Sequence, residues 1–170
     1  LHRIDSAQAP EQVRRVLGVQ PPTAGPLARV ALPAGPLTVI SDTPGDLDDQ
    51  VVTELTYEPA EEFEVNLGVE RNIVVDRRLV ERTKTHLEFD RLGRVSGLDT
   101  VERYRLQVRN HTSTEVALEV VEPVLDTWEF ATDAPHVLEP GKAIMHLVVP
   151  ADGSAELAFT ITQHSGTRIP

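Results

Sequence analysis

The sequence contains no cysteine and few aromatic residues. Without cysteine the chain forms no disulfide, iron–sulfur cluster or thiolate zinc site, which fits either a reducing compartment or an envelope protein that lacks disulfides. Aromatic residues make up 4% of the 170 positions, so valine, leucine and isoleucine must build the core. The length is typical of one domain with a sizeable core.

Long apolar runs are also absent. No stretch of 18 apolar residues occurs, so the sequence predicts no transmembrane helix. The chain begins at Leu1, with neither an initiator methionine nor a signal peptide. We therefore expect a processed product whose longer precursor has an N-terminal portion that is missing here.

Basic residues are scarce, and the net charge is −11. Nucleic acid and anionic membranes repel such a domain, so we expect a protein partner, which can be a second copy. Residues 42–70 hold ten acidic and no basic residues. Residues 71–109 hold six acidic and ten basic residues, and residues 110–170 hold nine acidic and two basic residues. Either acidic and basic strands pair within the fold, or an acidic edge binds cations or a basic partner.

The clearest structural pattern is Val101–Glu122, where apolar and polar residues alternate on both sides of a polar turn. Pairing residues whose numbers sum to 224 places Leu106 opposite Leu118 and Arg105 opposite Glu119. One face is then apolar and the other carries opposite charges, as in an antiparallel pair with one wet face. The segment therefore predicts a β-hairpin.

Further strands are expected every 8–12 residues. Their predicted positions are 27–32, 37–40, 51–57, 63–68, 73–82 with a bulge near 76–78, 83–90, one short strand around Trp128 and Phe130, 143–149 and 155–163. The side chains expected to face the core are Leu79 or Val80, Leu87, Phe89, Leu157, Phe159 and Ile161. Short strands with turn signals between them are typical of a sandwich or barrel.

We therefore predict an all-β, immunoglobulin-like antiparallel β-sandwich over residues 27–170. Residues 1–26 are expected to be a short N-terminal arm or linker, or the junction to the missing region. Within them, residues 10–18 fit a short helix with Pro10 at its start and Gly18 at its end, or equally an extended segment.

Three stretches resemble one known family. They are residues 32–39 (LPAGPLTV), the stretch that begins at 63–69 (FEVNLGV), and residues 104–110 (YRLQVRN). Together they are similar to the C-terminal β-rich domain of unknown function in mucoidy-inhibitor-A-like proteins, over roughly residues 27–163. The resemblance implies an all-β sandwich and supplies no catalytic residue.

The best candidate ligand site is an acidic loop over residues 42–49. It holds four aspartates: Asp42, Asp46, Asp48 and Asp49. Calcium takes six to eight oxygen ligands, and flexible carboxylate-rich loops supply them. The spacing is not that of the twelve-residue calcium loop, so a solvated acidic loop is the alternative.

Other chemistry has weak support in the sequence. The six histidines are His2, His86, His111, His136, His146 and His164, and none is spaced from another as zinc ligands are on one strand or helix. No Gly-x-Ser-x-Gly or Gly-x-Gly motif occurs, so we expect no enzyme and no cofactor other than calcium. Asn110-His111-Thr112 is a glycosylation sequon in a turn, and residues 77–84 form a basic cluster.

These observations predict a non-catalytic structural or protein-interaction module of a cell-envelope or secreted protein. Such a module can self-assemble by strand addition at an exposed sheet edge, with the N-terminal arm as the donated strand. The alternative is a calcium- or ligand-binding sandwich that uses the loop 42–49.

Overall fold

A computed structural model describes residues 1–20, 35–39, 51–55 and 63–170, and these residues form strands and turns without a helix. The strands are β1 His2–Asp5, β2 Val13–Val19, β3 Gly35–Val39, β4 Val51–Leu55, β5 Phe63–Val69, β6 Ile73–Phe89, β7 Val95–Asn110, β8 Val116–Pro123, β9 Trp128–Thr132, β10 His136–Glu139, β11 Lys142–Val149 and β12 Ser154–Gly166. The all-β prediction is confirmed for the described residues.

The contacts divide the chain into two units. Unit 1 comprises Leu1 and Arg14–Val69, and unit 2 comprises His2–Val13 and Glu70–Pro170. In unit 1, β2 pairs antiparallel with β5, and β3 pairs antiparallel with β4. The predicted strand at 27–32 and the predicted domain boundary after residue 26 lie outside the described residues.

Unit 2 contains two sheets. One has the order β10-β11-β8-β1 and the other the order β6-β7-β12-β9. Strand β1 runs parallel to β8, and the remaining pairs of these sheets are antiparallel. Side chains from both sheets meet in one buried cluster that includes Leu118 and Met145 from the first sheet and Leu106 and Phe159 from the second. Two sheets that share a core are what a β-sandwich requires.

The predicted hairpin over Val101–Glu122 is wrong. Strand β7 pairs with β6 and β12, whereas β8 pairs with β1 and β11, so the turn between β7 and β8 is an arch that crosses from one sheet to the other. The apolar alternation is nevertheless confirmed, since Leu106 and Leu118 are both buried. Alternation shows which face of a strand is buried. It does not show whether two such strands pair in one sheet or lie in two sheets that face each other across the core.

The charged residues of the proposed hairpin also have other partners. Glu119 pairs with Arg3 of β1 at 2.7 Å, and Arg105 pairs with Glu156 of β12 at 3.1 Å. At these positions, acidic and basic residues therefore form ion pairs between neighbouring strands. This outcome favours the first of the two interpretations of the charge pattern.

Asn110 shapes the arch between β7 and β8. Its side chain is 1% exposed, and its amide nitrogen donates to the carbonyl oxygens of Thr114 at 2.7 Å and Pro150 at 3.0 Å. Its carboxamide oxygen accepts from the backbone N–H of Thr112 at 2.9 Å. The sequon therefore encodes a buried structural asparagine, and in the folded chain a glycan has no access to that nitrogen.

The helical alternative for residues 10–18 is wrong, because Val13–Val19 is a strand. Val13 and Val16 are both buried although they are three residues apart, a spacing that suggested a helix. The ladder with β5 shifts register between Arg15 and Val16, where the extra residue belongs to β5, and the strict alternation of β2 is broken at this point.

Strand β6 is longer and more exposed than expected. It runs without interruption over Ile73–Phe89, and its register shifts lie between Leu79 and Glu81 and after Thr85, not near residues 76–78. The prediction that Leu79 or Val80, Leu87 and Phe89 face the core is wrong, because all four side chains are exposed. For β12 the prediction is confirmed, since Leu157, Phe159 and Ile161 are each at most 3% exposed.

Candidate functional site

The most distinctive feature of unit 2 is the long hairpin formed by β6 and β7. The two strands have 17 and 16 residues, whereas strands usually have 3–10. Strand β6 lies at the edge of its sheet and carries register shifts and alternating charges. Such features hinder an exposed edge strand from pairing with the strands of other chains.

The turn of the hairpin is held by one carboxylate. Asp90 accepts hydrogen bonds from the backbone N–H groups of Leu92 at 2.8 Å and Arg94 at 2.9 Å, and from Nε of Arg94 at 2.9 Å. These bonds, the backbone bond from Arg94 first, hold the pKa of Asp90 below its ordinary value. Gly93 supplies the positive φ of 74° that the turn needs. The turn is therefore pre-organised.

This turn presents a group of apolar side chains to solvent. We call them the distal apolar residues: Leu87 (47% exposed), Phe89 (62%), Leu92 (76%) and Val95 (48%). Phe89 and Val95 are direct cross-strand partners. Single exposed apolar residues are ordinary, but four within nine positions at one end of a projecting hairpin point to a contact surface.

Directly behind the distal apolar residues lies a buried carboxylate with several cationic or polar donors. Asp99 of β7 is 2% exposed. It accepts hydrogen bonds from Nδ1 of His164 at 2.7 Å and from Nη2 of Arg168 at 2.9 Å, and it lies 2.9 Å from Nδ1 of His86. The bonds from Arg168 and then His164 hold the pKa of Asp99 far below its ordinary value, so this carboxyl is ionised at neutral pH.

Strand register brings these residues together. Asp99 is the cross-strand partner of Thr85 on one side and of His164 on the other. The register shift after Thr85 inserts one extra residue in β6, and His86 takes a φ of 48°, which is unusual for a residue other than glycine. Bulges re-aim side chains in this way, and here the bulge directs His86 to Asp99.

Two glycines let the C-terminal segment approach β7. Gly97 and Gly166 are cross-strand partners. A Cβ on Gly166 would collide with the carbonyl group of Ser96, and a Cβ on Gly97 would collide with the side chain of Thr167. Thr167 donates its backbone N–H to Ser96 O at 3.0 Å, which fixes the segment beside the hairpin.

Two further carboxylates flank Asp99. Glu88 of β6 accepts a hydrogen bond from Oγ1 of Thr167 at 2.5 Å and lies 3.8 Å from Nη1 of Arg168. Glu129 of β9 lies 3.5 Å from Nε2 of His164. We call the whole set the distal cluster; its members are His86, Glu88, Asp99, Glu129, His164 and Arg168.

A second polar group lies inside the sandwich. Arg77 of β6 donates to the buried Glu122 of β8 at 2.6 Å, and its guanidinium lies 4.0 Å from the ring centroid of Tyr104. Tyr104 donates to Glu102 at 2.7 Å. Burial, followed by the hydrogen bond to Glu102, raises the pKa of Tyr104. This group joins the two sheets and faces the core, so its role is structural.

Two hydroxyl groups beside the distal cluster are engaged in hydrogen bonds, since Ser165 donates to Leu98 O at 2.9 Å and Thr167 donates to Glu88. Within residues 1–20, 35–39, 51–55 and 63–170, no group of three His, Asp or Glu side chains is arranged to hold a metal ion. A shallow depression of about 200 Å³ on the same sheet, lined by Thr83, Val101 and their neighbours, is smaller than typical ligand pockets.

The structure tests some of the predicted site residues. The candidate calcium ligands Asp42, Asp46, Asp48 and Asp49 lie outside the described residues, so the calcium site stays a prediction. The basic cluster is internally paired, because Arg77, Arg78 and Arg82 each bind an acidic residue of the same chain. Asp99, Glu129 and Arg168 carry no signal in the sequence, where His164 stands as an isolated histidine. Their partners are distant in sequence, and the pairing of β12 with both β7 and β9 brings them together.

Comparison with family models, with curated proteins and with solved structures finds no match. The resemblance to the domain of mucoidy-inhibitor-A-like proteins therefore stays a prediction. In the part of the chain that the structure describes, no helix could cross a membrane.

Proposed function

We propose that the chain is a non-catalytic protein-interaction module that associates with further copies of itself through the distal end of the β6–β7 hairpin. The observation that carries this proposal is the group of distal apolar residues on a turn that Asp90 holds rigid. A pre-organised apolar turn loses little conformational entropy when a partner covers it.

The charge distribution supports association between copies. Residues 71–109, which form β6 and β7, have four more basic than acidic residues, and residues 110–170 have seven more acidic than basic residues. Where these charges are not already paired within the chain, they attract the hairpin of one copy to the later strands of another. Such complementarity steers association and fixes its orientation.

Within the acidic strands, β10 is the proposed counterpart. It lies at the edge of its sheet, and its residues Val137 and Leu138 are exposed. These exposed apolar side chains match the apolar character of the hairpin turn. A contact between two different surfaces is heterologous, and it builds rings or filaments rather than closed pairs.

Strand addition by the N-terminal residues has less support than side-chain contact. His2–Asp5 already pairs with β8, and Val13–Val19 is already a strand. Among the described residues β6 is the edge strand of its sheet, and its ladder with β7 contains register shifts. We therefore assign the contact to side chains of the hairpin turn and to the edge of β10.

The proposal also covers the type of sandwich and the location of the protein. We propose an immunoglobulin-like sandwich, which the two sheets of unit 2 and the arch between β7 and β8 support. We also propose a cell-envelope or extracellular location, which stays a prediction from the sequence.

Sedimentation velocity over a concentration series tests the function. The wild-type chain is expected to associate, and Leu92→Asp is expected to weaken association on the order of tenfold, because it buries a charge in the contact. Val74→Asp is the matched control, since Val74 is exposed at the opposite end of the same hairpin and should leave association unchanged. A monomeric wild type, or equal loss in both variants, would contradict the proposal.

A further inference from the structure

The end of the β6–β7 hairpin extends beyond the ladder that joins β7 to β12. The last pair of that ladder is Gly97 with Gly166, and residues 88–96 continue as a two-stranded ribbon that ends in the turn held by Asp90. A two-stranded ribbon by itself is at best marginally stable in water, and packing against a further element stabilises it. The order of the hairpin end therefore depends on what holds this ribbon.

The segment that follows β12 contacts both strands of the ribbon. We call residues 166–169 the C-terminal strap. Thr167 donates its backbone N–H to the carbonyl oxygen of Ser96 at 3.0 Å, and its hydroxyl group donates to Glu88 at 2.5 Å. Ser96 belongs to β7 and Glu88 to β6, so the strap takes the place of a third strand beside the ribbon.

Arg168 also joins the strap to both strands. Its Nε and Nη2 lie 3.2 Å and 2.9 Å from the two carboxylate oxygens of Asp99 on β7, and its Nη1 lies 3.8 Å from Glu88 on β6. A guanidinium fork on a carboxylate is among the stronger ion pairs in proteins. Asp99 is almost fully buried, and the hydrogen bond from Arg168 is the first cause of its lowered pKa. Arg168 is therefore the main partner of a buried negative charge, and it needs no proton from a histidine to bind there.

We propose that Arg168 is a positioning residue for self-association: it binds the C-terminal strap to both strands of the ribbon, and the bound strap holds the distal apolar residues in one arrangement. Gly166 is the second requirement, because a side chain at this position would collide with the carbonyl group of Ser96 and push the strap away from β7. Arg168 acts through the ribbon, at a distance from the apolar side chains that form the proposed contact.

The consequence for association rests on the proposed function. A ribbon that the strap already holds loses less conformational entropy when a second copy covers it. A loosened strap therefore weakens association even though the distal apolar residues are unchanged. The strap thus gives residues outside the contact surface control over its affinity.

Amide hydrogen exchange at a single pH tests the positioning role. The N–H of Asp90 is bonded to Arg94 O and reports on the ribbon, whereas the N–H of Asn110 is bonded to Gly153 O at the opposite end of the hairpin. In Arg168→Gln, protection at Asp90 is expected to fall on the order of tenfold through local opening, while protection at Asn110 stays as in the wild type. Unchanged protection at Asp90, or an equal loss at both amides, would overturn the proposal.

Two further variants separate the strap from a general loss of stability. Arg168→Lys keeps the positive charge but not the guanidinium fork, so it should restore part of the protection at Asp90. Gly166→Ala keeps Arg168 but forces the strap away from Ser96, so it should lower protection at Asp90 as Arg168→Gln does. Wild-type protection in Gly166→Ala, or no difference between Arg168→Lys and Arg168→Gln, would contradict the proposed mechanism.

Each type of substitution has a matched control. Arg82→Gln removes an arginine from the nearly buried carboxylate of Glu102 on the same hairpin, away from the strap. Gly141→Ala adds a side chain at a φ of 79°, where an added Cβ meets none of the described residues. Both controls should leave protection at Asp90 close to that of the wild type. A loss in the controls as large as in the strap variants would overturn the proposal.

Sedimentation of the wild type and of Arg168→Gln distinguishes this proposal from the proposed function. Arg168→Gln is expected to associate more weakly than the wild type. If the wild type is monomeric, the proposed function fails, and the exchange data alone decide whether Arg168 orders the ribbon. If Arg168→Gln loosens the ribbon but associates as the wild type does, its positioning role in association is overturned.

Discussion

At the scale of single residues, the pair of Arg77 and Glu122 shows how a buried charge is stabilised in this fold. The pair crosses from one sheet to the other, and its carboxylate is almost fully buried. Desolvation of two such ions is costly, and the stacking of the guanidinium on Tyr104 offsets part of that cost. Removing one partner leaves the other charge uncompensated.

The first prediction concerns this pair. Glu122→Leu should lower the free energy of unfolding by about 3 kcal/mol, because Arg77 then lies in the core without its carboxylate. The double variant Arg77→Met with Glu122→Leu should recover much of that loss. Urea unfolding measures both. Arg78→Met, which breaks an exposed pair with Asp76, is the control and should change stability little. A single variant as stable as this control would refute the argument.

At the scale of elements, the arch between β7 and β8 decides the topology of unit 2. The apolar alternation of both strands was predictable, and so were the three core residues of β12, because a period of two reports burial directly. The pairing was not predictable. An apolar strand face packs in the same way whether the next strand pairs beside it or lies across the core, and here β7 and β8 pair with different strands.

A second prediction tests the arch. Asn110→Ala leaves the carbonyl groups of Thr114 and Pro150 and the N–H of Thr112 without their partner, so it should cost about 2 kcal/mol in the free energy of unfolding. Thermal unfolding measures the loss. Asn72→Ala, in an exposed turn, serves as the control. Equal stability of the two variants would show that Asn110 does not hold the arch.

The distal cluster shows the same limit of sequence reasoning. Asp99 and His164 are cross-strand partners although they are far apart in the chain, and their contact depends on the register of β7 and β12. The bulge that aims His86 was expected elsewhere in β6. No spacing within one segment could have indicated the cluster, because each strand contributes only one or two of its members.

At the scale of the whole chain, the uneven charge predicted from composition has two consequences. Within the fold it pairs strands, as in Arg3 with Glu119 and Arg105 with Glu156. For the proposed association, the relevant difference is that residues 71–109 have four more basic than acidic residues and residues 110–170 have seven more acidic than basic residues. Attraction between exposed charges is screened by salt, so association should weaken as ionic strength rises.

The measurement that tests the central claim most directly is a concentration series of amide NMR spectra at low ionic strength. The account predicts that chemical shifts change with concentration at residues 87–95 of the hairpin and at residues 136–139 of β10, and that Leu92→Asp moves both sets of changes to roughly tenfold higher concentration. Spectra that do not change with concentration, or changes confined to other strands, would contradict self-association through the hairpin.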